Sequence, residues 1–179
     1  MLPVCAGLRK NMLESIASQP AGEWLLAIAT SGRRGSVALF RGGQLQREMM
    51  LAEETRHAQL LLPAISACLA GAGLAASDLA AIAVDIGPGS YTGTRIGVMA
   101  ACCLAYATGC RLAAISGLAA LAWEARQTAP IIMVVQDARR DEVYAAVYEV
   151  EGEMMRPVVA DCALIPDEAA SLPLSLIHI

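Results

Sequence analysis

AIAVDIGPGSYTGTRIGVMAACCLAYATG, residues 81–109, is the stretch on which the reading of the fold turns. An apolar run ends in Gly87-Pro88-Gly89-Ser90-Tyr91-Thr92-Gly93, and a long helix of small residues follows. A continuous apolar run before such a loop has the pattern of a strand covered on both faces. A glycine-rich loop between strand and helix commonly cradles a phosphate at the helix N-terminus. Small residues recur every four places at Gly93, Gly97, Ala101, Ala105 and Gly109, which keeps them on one side of the helix. That stripe permits close approach of another backbone, either a neighbouring element or a second chain.

The loop fails two nucleotide patterns. A P-loop requires a lysine after its last glycine, and the nearest cation here is Arg95. The dinucleotide fingerprint requires a third glycine where Thr92 stands. A tight structural turn and a generic phosphate-approach loop, in which Gly89, Ser90 and Thr92 present N–H and hydroxyl groups, both remain open.

Outward from the loop, WLLAIATS from Trp24 reads as a buried strand. GSVALFRGGQLQREMML reads as two strands joined at Gly42-Gly43, a dipeptide that supplies the positive φ angles of a tight hairpin. RHAQLLLPAISACLAGAG is a helix with Leu61, Ile65 and Leu69 on one stripe, ending at Gly71 and Gly73. CRLAAIS is a strand, GLAALAWEAR a helix, and residues 129–160 a second set of strands with turns at Asp137–Asp141 and Glu151-Gly152. Two meander-plus-helix units in tandem imply a duplicated α/β architecture with an incomplete second copy. Residues 1–23 read as a loose extension, 24–115 as the first domain and 116–179 as the second. LSLIHI at 174–179 reads as the mark of a truncation.

Composition bounds function. The chain has 179 residues, 56% of them hydrophobic, and a formal charge of −4. That balance disfavours a chain that clamps nucleic acid by itself. Lys10 is the only lysine. Six cysteines without a C-x-x-C pair read as reduced thiols of a cytoplasmic protein, and those in the apolar helix as buried small hydrophobes. Between Arg95 and Arg111 the apolar helix runs about 22 Å, short of the ~30 Å of a bilayer core, so no membrane span is expected.

Catalytic constellations are scarce. His57 and His178 are the only histidines, no clustered metal spacing occurs, and Ser90 does not sit in a G-x-S-x-G elbow. DARRDEVY sets Asp137, Arg139, Arg140, Asp141 and Glu142 in one charged turn. It is either a solvated turn or a salt-bridged loop facing a cleft between the two halves.

The blocks LLAIATS, RHAQLLLPAI, DLAAIAVDIGPGSYTGTRIGVMAACCLAYATG, LAAISGLAALA and DARRDEVYAAVYE, in that order, resemble the bacterial TsaB (YeaZ) family over residues 24 to about 150. The resemblance extends to the glycoprotease-like M22 group. It implies the actin-like ATPase fold of sugar kinases and chaperone ATPases, in a reduced two-domain form with a truncated second domain. The implied role is a non-catalytic subunit that supports TsaD, with TsaE, in transferring threonylcarbamoyl to the adenosine beside the anticodon of tRNA. RNA is then met only through the complex. The implied pairing surface, for a homodimer or for TsaD, comes from the helices at 57–71 and 93–108. That assigns Leu61, Ile65, Gly93, Gly97, Ala101 and Ala105 to an interface.

Two positions depart from the family pattern. Ala29 stands where the first strand normally carries aspartate, and Ile86 where a basic residue normally precedes GPGS. Both changes remove charge that would manage a phosphate and its metal. No tightly bound cofactor and no metal are therefore expected, with ATP or ADP handled only in the complex. The competing reading is an ATP-handling enzyme with Thr30, Ser31, Gly87, Gly89, Ser90, Thr92 and Gly93 around the phosphates. The absence of metal-ligand spacing argues against a metallopeptidase.

Overall fold

Alternating apolar residues organise the first strands. Leu26 and Ile28 on β1 (Trp24–Ala29) and Val37 and Leu39 on β2 (Gly35–Arg41) are all buried in one cluster. In strands the side chains of residues i and i+2 share a face, so these four define the core face of a sheet. The computed structural model describes residues 22–51, 57–152 and 154–172. Residues 1–21 and 173–179, which hold nearly all of the expected extension and the whole LSLIHI tail, lie outside the described residues. By its internal contacts the chain divides into two units, one of residues 1–86 with 90–115, the other of 87–89 with 116–179.

In the first unit β1, β2 and β3 (Gln44–Leu51) form the antiparallel meander read from the sequence. Its second hairpin closes with Arg41 opposite Gln44, and Gly42 and Gly43 carry φ of 55° and 78°. Those positive angles match the twist of a two-residue hairpin loop, and glycine adopts them without a Cβ penalty. β4 (Leu79–Asp85) adds to the other side of β1 in parallel, and β5 (Arg111–Ile115) adds in parallel to β4. The order is β3-β2-β1-β4-β5. Helix α1 (His57–Ala70) packs on β2 and β3, and α2 (Tyr91–Thr108) on β4, β1 and β5. The two helices also touch each other, and Leu61, Ile65, Cys68 and Leu69 of α1 join the sheet core. The side chain of His57 lies outside the described residues.

In the second unit β6 (Ile131–Arg139), β7 (Glu142–Glu151) and β8 (Met154–Leu164) form an antiparallel meander in the order β6-β7-β8. Period-two patterning separates its faces. Ile132, Val134, Ala146 and Tyr148 meet Leu118, Ala122 and Ala125 of α3 (Gly117–Ala125). Met133, Ala145 and Val147 face the other way and meet Ala169 of the short α4 (Pro166–Ala170). Gly87–Gly89 joins this unit, with Gly117 N–H donating to the Gly87 carbonyl at 2.8 Å. No helix among the described residues is long and apolar enough to cross a membrane.

Candidate functional site

The order β3-β2-β1-β4-β5 sets the C-terminal ends of β1 and β4 side by side. From that point the chain turns to β2 on one side and through α2 to β5 on the other. Such a switch point is where open parallel sheets place ligands. Thr30 and Ser31 leave β1 there, and Ser90 opens α2.

The hydroxyls of Thr30, Ser31 and Ser90 all have partners in the chain. Thr30 is fully buried, and its hydroxyl donates to the Gly93 carbonyl at 2.7 Å. Ser90 N–H donates to the Ser31 carbonyl at 2.7 Å. The Ser90 hydroxyl accepts from Gly93 N–H at 3.2 Å as the N-cap of α2. Ser31 donates to the Asp85 carboxylate twice, from its hydroxyl and, at 3.2 Å, from its N–H. A Cβ on Gly93 would fall on the Thr30 carbonyl oxygen, and one on Gly97 on the Thr30 hydroxyl. The first turns of α2 can therefore lie against β1 only because those two places carry glycine.

The predicted phosphate residues thus separate. Thr30, Ser31, Ser90 and Gly93 come together, but as a stitch between strand end and helix start, with their hydroxyls committed. Gly87 and Gly89 are grouped with the second unit, and Thr92 is exposed on the first turn of α2. Asp85 completes the stitch and was missed from the sequence. Its only signal is an acidic residue closing an otherwise apolar strand, because its partner lies 54 residues away.

Leu61 and Ile65 are buried in the core, and Gly93, Gly97 and Ala101 are buried facing β1. Ala105 is half-buried against the same core. From Gly93 to Ala105 the small-residue stripe packs inward, and Gly109 at its end is exposed. The outward face between α1 and α2 shares Leu61 with the expected interface residues and takes its other residues from outside that set. Ala58, Leu62, Ile96, Met99, Cys103 and Leu104 line an apolar groove of about 440 Å³, with Leu61 among its lining residues. Leu62 is 59% exposed and Met99 60%. Cys102 and Cys103 are exposed as well, which corrects the expectation of buried thiols in this helix. Cys68 does behave as a small hydrophobe, and burial pushes its thiol upward from the ordinary range.

In the second unit Asp137, Arg139 and Glu142 share the tip of the β6–β7 hairpin. Arg139 pairs with Glu142, and the Asp137 carboxylate accepts from Arg139 N–H at 2.7 Å. Arg139, Arg140 and Asp141 all have positive φ, between 56° and 67°. Among the described residues no ion pair links these arginines to the acids of the turn, so the turn is hydrogen-bonded and not salt-bridged. Nor do any three His, Cys, Asp or Glu among them gather as a metal site would require.

Geometry defines an α/β protein whose switch-point hydroxyls are bonded within the chain and whose first helix pair presents an apolar groove. The family model of TsaD, tRNA N6-adenosine threonylcarbamoyltransferase, matches residues 50–176. The chain is similar to the tRNA threonylcarbamoyladenosine biosynthesis protein TsaB of Bacillus subtilis, at 36% identity over 137 residues, 76% of this chain and 60% of that one. Escherichia coli TsaB is 35% identical over 127 residues, 70% of this chain and 54% of that one. The solved structure of YeaZ from Pseudomonas aeruginosa superposes with a TM-score of 0.73 at 37% identity, covering 80% of this chain and 68% of that one. A second Pseudomonas aeruginosa structure, described as similar to peptidase YEAZ, gives 0.77 at 34% identity, with 87% and 74% covered. The chain belongs to the TsaD family, in its TsaB (YeaZ) branch, and the α/β class read from the sequence holds. It spans about 60% or less of the length of these curated relatives.

Proposed function

We propose that the chain is a non-catalytic subunit of the cytoplasmic machinery that transfers threonylcarbamoyl to the adenosine beside the anticodon of tRNA, and that it supports TsaD by docking through the α1–α2 groove. The groove carries this reading. Its lining is apolar, Leu62 and Met99 project from it into solvent, and α2 has one charged residue, Arg95, along its length. An exposed apolar patch framed by packed helices is the mark of a protein-binding face. TsaE joins through the same complex, tRNA is met within it, and self-pairing of the chain uses the same groove in competition with TsaD.

The stitched switch point supports a non-catalytic role. The hydroxyls of Thr30, Ser31 and Ser90 already have partners within the chain, so a phosphate would have to displace them. ATP or ADP is accordingly handled by the assembled complex and not by this chain. Co-purification with a bacterial TsaD, with and without ATP, tests the reading. Stoichiometric association that the Leu62→Glu, Met99→Glu double variant abolishes is the expected outcome. Association unchanged by that variant would place the docking face elsewhere, and tight ATP binding by the isolated chain would return the weight to an ATP-handling enzyme.

A further inference from the structure

Arginine supplies nearly all of the positive charge, and the described arginines fall into two groups. Arg41 stacks on Trp24, Arg95 on Tyr91 and Arg126 on Trp123. Arg47 donates to the Gly71 carbonyl at 2.7 Å, closing the end of α1. Arg111 bridges Glu23, and Arg156 bridges Glu149. Only Arg33, Arg34, Arg139 and Arg140 have side chains without a hydrogen bond, ion pair or ring contact among the described residues. All four are exposed. They form two Arg-Arg dipeptides, each at the passage from the first to the second strand of its unit's meander, at 33–34 between β1 and β2 and at 139–140 where β6 ends before β7.

The second pair sits on a costly backbone. Non-glycine residues in the left-handed region cost roughly 1–2 kcal/mol each, and glycine or asparagine would fill a two-residue hairpin loop more cheaply. Side chains kept on a strained tip point to a use for them. Two adjacent, exposed guanidinium groups without enclosing walls suit an extended polyanion. A small anion needs a concave site instead. Arginine is suited to phosphate oxygens because its planar fork donates in pairs.

We propose that the Arg33–Arg34 and Arg139–Arg140 pairs are separate contacts to RNA phosphates, so that a chain of net charge −4 meets RNA at two basic points and not across a basic face. This rests on the tRNA role proposed above. Residues 31–35, Ser-Gly-Arg-Arg-Gly, contain no acid, whereas Asp137, Asp141 and Glu142 flank the other pair. Asp85 reaches Ser31 beside the first pair, so one acid stands near it against three beside the second, and the first pair makes the stronger contact.

The test uses the co-purified complex with TsaD and a fluorescently labelled, unmodified tRNA, titrated at several KCl concentrations. Arg33→Gln with Arg34→Gln, and separately Arg139→Gln with Arg140→Gln, should each lower the salt slope by about 1–2. Near 0.15 M salt the first double variant should lose roughly 10- to 30-fold in affinity, and the second less. The matching lysine variants should keep the slope, because charge carries it.

Unchanged slopes in a complex that forms and binds tRNA would overturn this inference alone. Loss of TsaD association in the glutamine variants would also overturn it, by making the pairs protein contacts. Failure of the wild-type chain to form the complex, or of that complex to bind tRNA, would overturn the proposed function and this inference with it.

Discussion

Thr30 is where one residue decides most. It is buried at the end of β1, its hydroxyl ties Gly93 at the start of α2, and both Gly93 and Gly97 must lack a Cβ to lie against it. Gly97→Ala should therefore destabilise the chain by about 1–3 kcal/mol through overpacking, read as a lower urea midpoint. Thr30→Val keeps the volume and removes the hydroxyl, at a cost of about 1 kcal/mol. Thiol chemistry divides the same way. Cys102 and Cys103 should react with a thiol reagent in the folded chain, while Cys68, buried and shifted upward, reacts only on unfolding. The glycine loop was legible as a special turn because Gly-Pro-Gly punctuates an apolar run. Its use was not legible. Whether Ser31 and Ser90 face a ligand or one another depends on strand order, and Asp85 meets Ser31 across 54 positions of sequence.

At the scale of elements the meanders and helices were readable, and the faces of α2 were not. Apolar or small residues surround that helix, so a stripe spaced by four could mark the core side or the open side with equal force. Parallel pairing of β4 with β1 resolves it by drawing the small side inward. The outward groove then falls to Leu62, Ile96, Met99 and Cys103. Leu62→Glu with Met99→Glu should leave the urea midpoint of the isolated chain nearly unchanged, because both side chains are more than half exposed. Core changes in the same helix should not be silent. On the β6–β7 hairpin, Asp141→Gly relieves a left-handed residue at φ 61° and should raise stability by up to about 1 kcal/mol.

At the scale of the whole molecule, the first unit carries the face on which the proposed docking rests. One sheet-and-helix unit presents an apolar face, its switch-point hydroxyls are held by internal hydrogen bonds, and neither unit gathers a metal cluster among the described residues. The tandem of meanders could be read from turn chemistry at Gly42-Gly43 and Glu151-Gly152, where short-range signals suffice. Which surface is left open depends on packing between elements distant in sequence. The most direct measurement is co-purification of the chain with a bacterial TsaD beside its Leu62→Glu, Met99→Glu variant, both checked for folding by circular dichroism. Docking through the α1–α2 groove predicts stoichiometric association for the unaltered chain and none for the folded variant. A folded variant that associates as well as the unaltered chain would contradict it.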